Sequence, residues 1–155
     1  MLATFGAGCF WHIELAFSSV KGVNKTTVGF MGGRMKNPSY EDVCTDKTGH
    51  VEVCQIEFDP KKVSYDELLN IFWTIHDPTQ INRQGLDVGT QYRSVIFYHS
   101  AAQKKLAEAS KIALEQSKYN GDRIATEIHE ATEFYRAEEH HQKYLEKRGM
   151  KTCPI

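Results

Sequence analysis

Within the first 20 residues the apolar pattern changes period. Met1-Leu2-Ala3-Thr4-Phe5 reads as a short buried strand, whereas Phe10, Ile13, Phe17 and Val20 recur at helical spacing. Between the two periods lies Gly6-Ala7-Gly8-Cys9, followed directly by Phe10 and Trp11. A chain that passes so abruptly from strand to apolar-faced helix must fold the helix back onto a sheet, which limits the chain to layered architectures.

The same junction carries a chemical implication. Cys9 sits at the first turn of the expected helix, where unpaired N–H groups and the positive end of the helix dipole stabilise an anion. A lowered pKa and a nucleophilic thiolate are expected there. The glycines would leave the sulfur open to approach, and Phe10 and Trp11 would wall it with flat apolar surfaces. An isolated cysteine can equally be a buried structural residue, and this stretch alone leaves both readings open.

Further along, Lys25–Phe30 reads as a strand and Val51–Phe58 as a strand with two usable faces. Ser64-Tyr65-Asp66-Glu67 is a capping box ahead of Leu68, Leu69, Phe72 and Ile75, so a helix is expected over 65–76. Gln91–Tyr98 reads as a strand, Ser100 with Gln103 caps a helix to about Lys118, and Ile124–Glu130 fits an edge strand. A polar helix is expected over Arg136–Lys147, ending at Gly149. These elements point to an α+β two-layer sandwich with a mainly antiparallel central sheet, a ferredoxin-like βαββαβ core and a C-terminal helical extension. We expect one domain over 1–155, with 149–155 as a mobile tail.

Formal net charge is −1, which favours neither nucleic acid nor an anionic membrane surface as partner. No apolar run has the length of a membrane span, and the N-terminus lacks the pattern of a signal peptide. The four cysteines, Cys9, Cys44, Cys54 and Cys153, form neither a disulfide framework nor a CxxC pair. A cytoplasmic monomer with reduced thiols is therefore expected. No metal is expected either, because His129, His140 and His141 lack metal-ligand spacing.

Two long polar segments, 31–50 and 77–90, lead into strands and would bring polar groups toward Cys9. Glu52 opens an apolar strand, and a carboxyl in an apolar pocket has a raised pKa suited to a general acid. Tyr40 and Tyr92 are either hydroxyl donors or ordinary rim aromatics, and His50 is either a second acid–base group or a loop histidine.

The motifs Gly8-Cys9-Phe10-Trp11, Gly29-Phe30-Met31-Gly32-Gly33, Asn37-Pro38-Ser39-Tyr40, Gly49-His50-Val51-Glu52, His76-Asp77-Pro78-Thr79-Gln80 and Gly89-Thr90-Gln91-Tyr92-Arg93-Ser94 follow in that order. Phe134-Tyr135-x-Ala137-Glu138-x-x-His141-Gln142-x-Tyr144-Leu145 extends the set. Together they resemble the A-type peptide methionine sulfoxide reductases, over nearly the whole chain. The resemblance implies reduction of the S epimer of methionine sulfoxide, free and in proteins. It makes Cys9 the nucleophile, Glu52 the general acid, and Tyr40 and Tyr92 donors to the sulfoxide oxygen. It makes Phe10 and Trp11 walls for the S-methyl group, and gives Asp87 a role in positioning polar groups or water. No cofactor is implied. A sulfenic acid on Cys9 would pass to a disulfide reduced by thioredoxin.

The chain departs from the family at His12, where glycine is usual, and in its short ending Lys151-Thr152-Cys153-Pro154-Ile155. Cys153 is the first choice as resolving thiol because a mobile tail can reach the site. Cys54, on the strand face of Glu52, is its rival, and Cys44 comes third. A thiol peroxidase and a non-catalytic methionine-binding module are the competing readings.

Overall fold

The computed structural model describes residues 1–117 and 123–149. Cys153 and the expected tail from 150 on lie outside the described residues. In chain order the elements are β1 (Leu2–Gly6), α1 (Phe10–Ser18), β2 (Val23–Met31), α2 (Tyr40–Cys44), β3 (Val51–Phe58), α3 (Tyr65–Thr74), β4 (Arg83–Gln84), β5 (Asp87–Val88), β6 (Val95–Tyr98), α4 (Ala101–Ser117), β7 (Glu127–Glu130), β8 (Tyr135–Arg136) and α5 (Tyr144–Lys147). Six strands form one sheet in the order β7-β6-β1-β3-β2-β8. Pairing is antiparallel throughout except for β6 with β7, which α4 joins by a crossover. The fold is thus mixed α+β on a mainly antiparallel sheet.

The main core lies between the sheet and its helices. Phe5 of β1 stacks on Phe17 of α1 at 5.4 Å and on Phe72 of α3 at 5.0 Å. Along β3, Glu52, Cys54 and Ile56 alternate with Val51 and Val53, as the period-2 reading required. Cys54 and Ile56 join the helix-side core, while Val51 and Val53 pack with Met31, Val95 and Phe97 in a smaller cluster covered by Ala131 and Phe134. Both faces of β3 are therefore buried.

Antiparallel order brings four strand ends together. β1 ends, β3 begins, β2 ends and β6 begins at one edge of the sheet, so the turn after β1 meets both long loops there. Gly8 makes that turn with φ of +86°, and a Cβ on it would stand 2.9 Å from the Cβ of Gln84. Its role is conformational as well as one of access.

The loops hold more structure than their sequence suggested. Tyr40–Cys44 form α2, whose N-cap Ser39 accepts from Asp42 N–H at 3.1 Å while Asp42 accepts from Ser39 N–H at 2.9 Å. The second loop contains the hairpin of β4 and β5. The strand expected over 91–98 begins only at Val95: Tyr92 N–H and Arg93 N–H bond back to Gly89 and Thr90 carbonyls, closing a 3-10 turn over Thr90–Tyr92.

The helix expected over Arg136–Lys147 is corrected. Arg136 pairs with Gly29 in β8, Glu139–His141 form a 3-10 turn, and α5 is one turn long. The cause is Gln142, whose amide bonds to Val28 N and O and to Ala137 O at 2.9–3.0 Å, followed by Lys143 in the left-handed region at φ 52°. The C-terminal extension is therefore mostly a non-helical strap along β2 and α1.

Candidate active site

Cys9 is the N-cap of α1, with extended backbone (φ −63°, ψ 125°). The thiol makes no capping hydrogen bond, but the Trp11 and His12 backbone N–H groups of the first turn lie close enough to favour its thiolate. The expected lowering of its pKa is overturned: burial pushes the thiol up to about 12, and the Glu52 and Asp87 carboxylates add to the rise. Two backbone donors do not offset desolvation beside two acidic groups.

Glu52 is fully buried. Its Oε1 accepts Phe10 N–H at 3.2 Å, and its Oε2 has no partner. Burial raises its pKa to about 8, with Asp87 adding to the shift and the Phe10 N–H opposing it. Near neutral pH this carboxyl keeps its proton.

Tyr40 opens α2 and stacks on Phe10 (6.1 Å) and Trp11 (6.3 Å). Its hydroxyl lies near enough to the Cys44 thiol for each to act on the other, and burial, then Glu52, raise its pKa. Tyr92 comes from the 3-10 turn, and its pKa too is raised, first by burial, then by Glu52. Asp87 sits on the hairpin, close enough for its charge to act on Cys9, Glu52, His12 and Tyr92. The two tyrosines, Glu52, Asp87 and Cys9 thus form one electrostatic group drawn from four segments of chain.

Phe10 is fully buried and floors the site against Phe30 at 5.7 Å. Trp11 is half-buried, sandwiched by Tyr144 at 3.8 Å and backed by His141. One side of the site is aromatic and the other acidic and phenolic. Such a site can hold a small apolar group while donating protons to an oxygen beside it.

The family model described as peptide methionine sulfoxide reductase matches residues 1–155. The chain belongs to the peptide methionine sulfoxide reductase family. It is 59% identical over 151 residues to peptide methionine sulfoxide reductase MsrA of Methanothermobacter thermautotrophicus, covering 97% of this chain and 89% of that one. The reduced form of Mxr1 from Saccharomyces cerevisiae superposes with a TM-score of 0.91 at 37% identity, covering 99% of this chain and 89% of Mxr1. Mxr1 in complex with Trx2 matches with a TM-score of 0.65 at 28% identity, over 93% of this chain and 84% of that one.

Other titratable groups of this reductase-family chain fall away from the site. His50 is buried, with Nδ1 accepting from Gly33 N–H at 3.0 Å and its other ring nitrogen 2.7 Å from Met35 O, so it pins the 31–50 loop. Cys54 does share a face with Glu52, but it is fully buried in the core, where the Glu14 carboxylate acts on it. A thiol there can meet Cys9 only if the sheet and α1 part. Cys44 is exposed beside Tyr40. The residues that sequence reasoning left without roles are Glu138, His141 and Tyr144, which the strap lays against Trp11 and Tyr40. Their only signal was the ordered motif over 134–145. Glu138, His140 and His141 have ligand atoms within 4.8 Å of one another. Because His141 Nδ1 accepts from Trp11 Nε1–H, its Nε2 carries the proton, which opposes coordination of a cation there.

Proposed function

We propose that this chain reduces methionine sulfoxide to methionine with Cys9 as nucleophile, acting on the S epimer in free and peptide-bound form. The observation that carries the proposal is the proton-bearing Glu52 held beside the N-cap thiol. In the reaction the Cys9 sulfur attacks the sulfoxide sulfur while Glu52 gives its proton to the sulfoxide oxygen. The hydroxyl so formed then passes from the substrate sulfur to the Cys9 sulfur as the new S–S bond breaks, so that methionine leaves and Cys9 is left as a sulfenic acid. The proton from the Cys9 thiol restores the Glu52 carboxyl. The sulfoxide sulfur gains two electrons and the cysteine sulfur loses two.

The raised thiol pKa fits this order of events. Cys9 holds its proton until a polarised sulfoxide lies against it, because attack places charge on an oxygen that Glu52, Tyr40 and Tyr92 can receive. Phe10 and Trp11 would hold the methyl group. The asymmetry between aromatic and acidic sides supports selection of one epimer, since the mirror arrangement turns the oxygen away from its donors. Asp87 would orient polar groups or water at the rim. Exposed Ile81, Leu86 and Val88 around it offer apolar surface suited to an unfolded substrate segment.

The sulfenic acid needs a second thiol, and Cys153 is our choice, with the disulfide then reduced by thioredoxin. The yeast relative seen with Trx2 supports that partner. We also read the chain as a single-domain, cytoplasmic monomer requiring no cofactor. The central order β6-β1-β3-β2, with α1 and α3 as its two crossovers, supports the ferredoxin-like reading of the core. Among the described residues no helix is long and apolar enough to cross a membrane.

Resolved S and R methionine sulfoxide, given to the purified protein with thioredoxin or dithiothreitol, test the proposal. Loss of the S epimer alone is expected with both reductants. Consumption of neither would leave a methionine-binding module as the better account, and peroxide consumption instead would favour the peroxidase.

A further inference from the structure

The chemistry above makes no use of the histidine behind Trp11. His141 is 3% exposed, and its Nδ1 accepts the Trp11 indole N–H at 3.2 Å. A neutral imidazole has one acceptor and one donor nitrogen, so the proton lies on Nε2. That Nε2 is buried without a hydrogen-bond partner, and the Glu138 carboxylate stands 3.6 Å from it. The other Glu138 oxygen accepts Tyr40 N–H at 3.2 Å. Burial and the neighbouring His140 lower the pKa of His141 against the opposing pull of Glu138, which keeps the ring neutral and Nδ1 an acceptor. The imidazole lies 5.7 Å from the Trp11 ring, 4.3 Å from Tyr40 and 5.6 Å from Phe10. Three aromatic residues of the site therefore rest on one small ring.

We propose that His141 is a positioning residue of the methyl-binding cage: buried as the Nε2–H tautomer with Nδ1 as acceptor, it fixes the plane of the Trp11 indole from behind. This rests on the sulfoxide reductase reading of the same site. An indole without its acceptor is free to rotate about its side-chain torsions, and the wall against the methyl group then loosens. Cys9, Glu52 and Tyr92 do not pack on the His141 ring, and a ring kept at 141 still supports Tyr40, so the loss falls on binding rather than on the chemical step.

The indole N–H proton resonance reads the hydrogen bond directly. The chain has two tryptophans; the other, Trp73, donates to Ser110 at 2.6 Å away from this site, and Trp73→Phe assigns the pair. His141→Phe keeps a ring but offers no acceptor. It should move the Trp11 resonance upfield and raise KM for methionine sulfoxide about tenfold, with kcat changed by less than about twofold. His141→Asn, whose Oδ1 reaches toward the place of Nδ1, should restore both. An unmoved indole in His141→Phe, or a fall in kcat at unchanged KM, overturns the proposal. So does His141→Asn behaving like His141→Phe in a folded protein. A wild-type protein that consumes neither epimer overturns the function reading instead, and the indole shift then judges the His141 anchor separately.

Discussion

Burial, with Asp87 beside it, makes the Glu52 proton hard to remove, and that raised pKa sets two predictions at the scale of the residue. Glu52→Gln removes the acid while leaving an oxygen to accept Phe10 N–H, so kcat/KM should fall about 10²- to 10⁴-fold. In the wild type, activity carried by the protonated carboxyl should fall about tenfold per pH unit above pH ~8, as Glu52 deprotonates. Stability responds with the same group. Between about 4.5 and 8 the unfolded carboxyl has lost its proton while the folded one keeps it. The unfolded state then binds fewer protons, and stability drops as pH rises through that window. Glu52→Gln should flatten this slope in thermal melts taken across pH 4–9, and an unchanged slope would mean that Glu52 is not the group responsible. For the second thiol, Cys153→Ser should abolish turnover with thioredoxin and spare the dithiothreitol-driven reaction. If Cys44→Ser does so instead, the exposed thiol beside Tyr40 is the resolver.

Elements decide how those residues meet. Tyr40 stands at the first position of α2, a five-residue helix whose register depends on the reciprocal bonds between Ser39 and Asp42. Ser39→Ala should cost about 1 kcal/mol, lowering Tm by about 2–4 °C, and raise KM as Tyr40 loses its fixed approach to Phe10. Calorimetry and steady-state kinetics check the two together. The limits of sequence reading lie at this same scale. β3, α3 and α4 were legible because each is long enough to display a period, with Ser64 and Ser100 marking the two helix starts, and β1 because it is a short apolar run. The Ser39-Pro-side capping pattern of α2 was present in the letters, but five residues show no period, so 31–50 read as a loop. The hairpin of β4 and β5 has two residues per strand, too few for alternation. Arg136–Lys147 misled because its polar composition suits a helix, whereas the Gln142 amide takes over the bonds that a backbone would make. That Cys9, Phe10, Trp11 and Glu52 belong to one candidate site was legible in their motifs, and the fold brings them together. The Cys9 pKa was not legible, since it depends first on burial and then on how closely Glu52 and Asp87 approach, and both are fixed only by the folded sheet.

Across the whole molecule the site is closed by residues far apart in the chain. β1, α1 and β3 supply thiol and acid, the hairpin brings Asp87, and the C-terminal strap lays His141 and Tyr144 over Trp11. One side chain fastens that strap. Gln142 accepts Val28 N–H at 2.9 Å and donates to Val28 O and Ala137 O. Lys143 N–H then bonds to buried Glu14, and Arg148 caps the aromatic stack 3.6 Å above Tyr144. Gln142→Leu keeps the volume close but leaves the Val28 N–H buried and unpaired, at about 1–3 kcal/mol. If the strap is only structural, the denaturation midpoint should fall while KM in the surviving folded protein stays unchanged. We expect both to shift, because releasing Gln142 also releases the 3-10 turn that holds His141 against the indole. The kcat should remain near wild type, since Cys9 and Glu52 are held by α1 and β3 and not by the strap. Denaturant melts beside steady-state kinetics separate these outcomes, and a large fall in kcat would show that the strap reaches the acid–thiol pair itself.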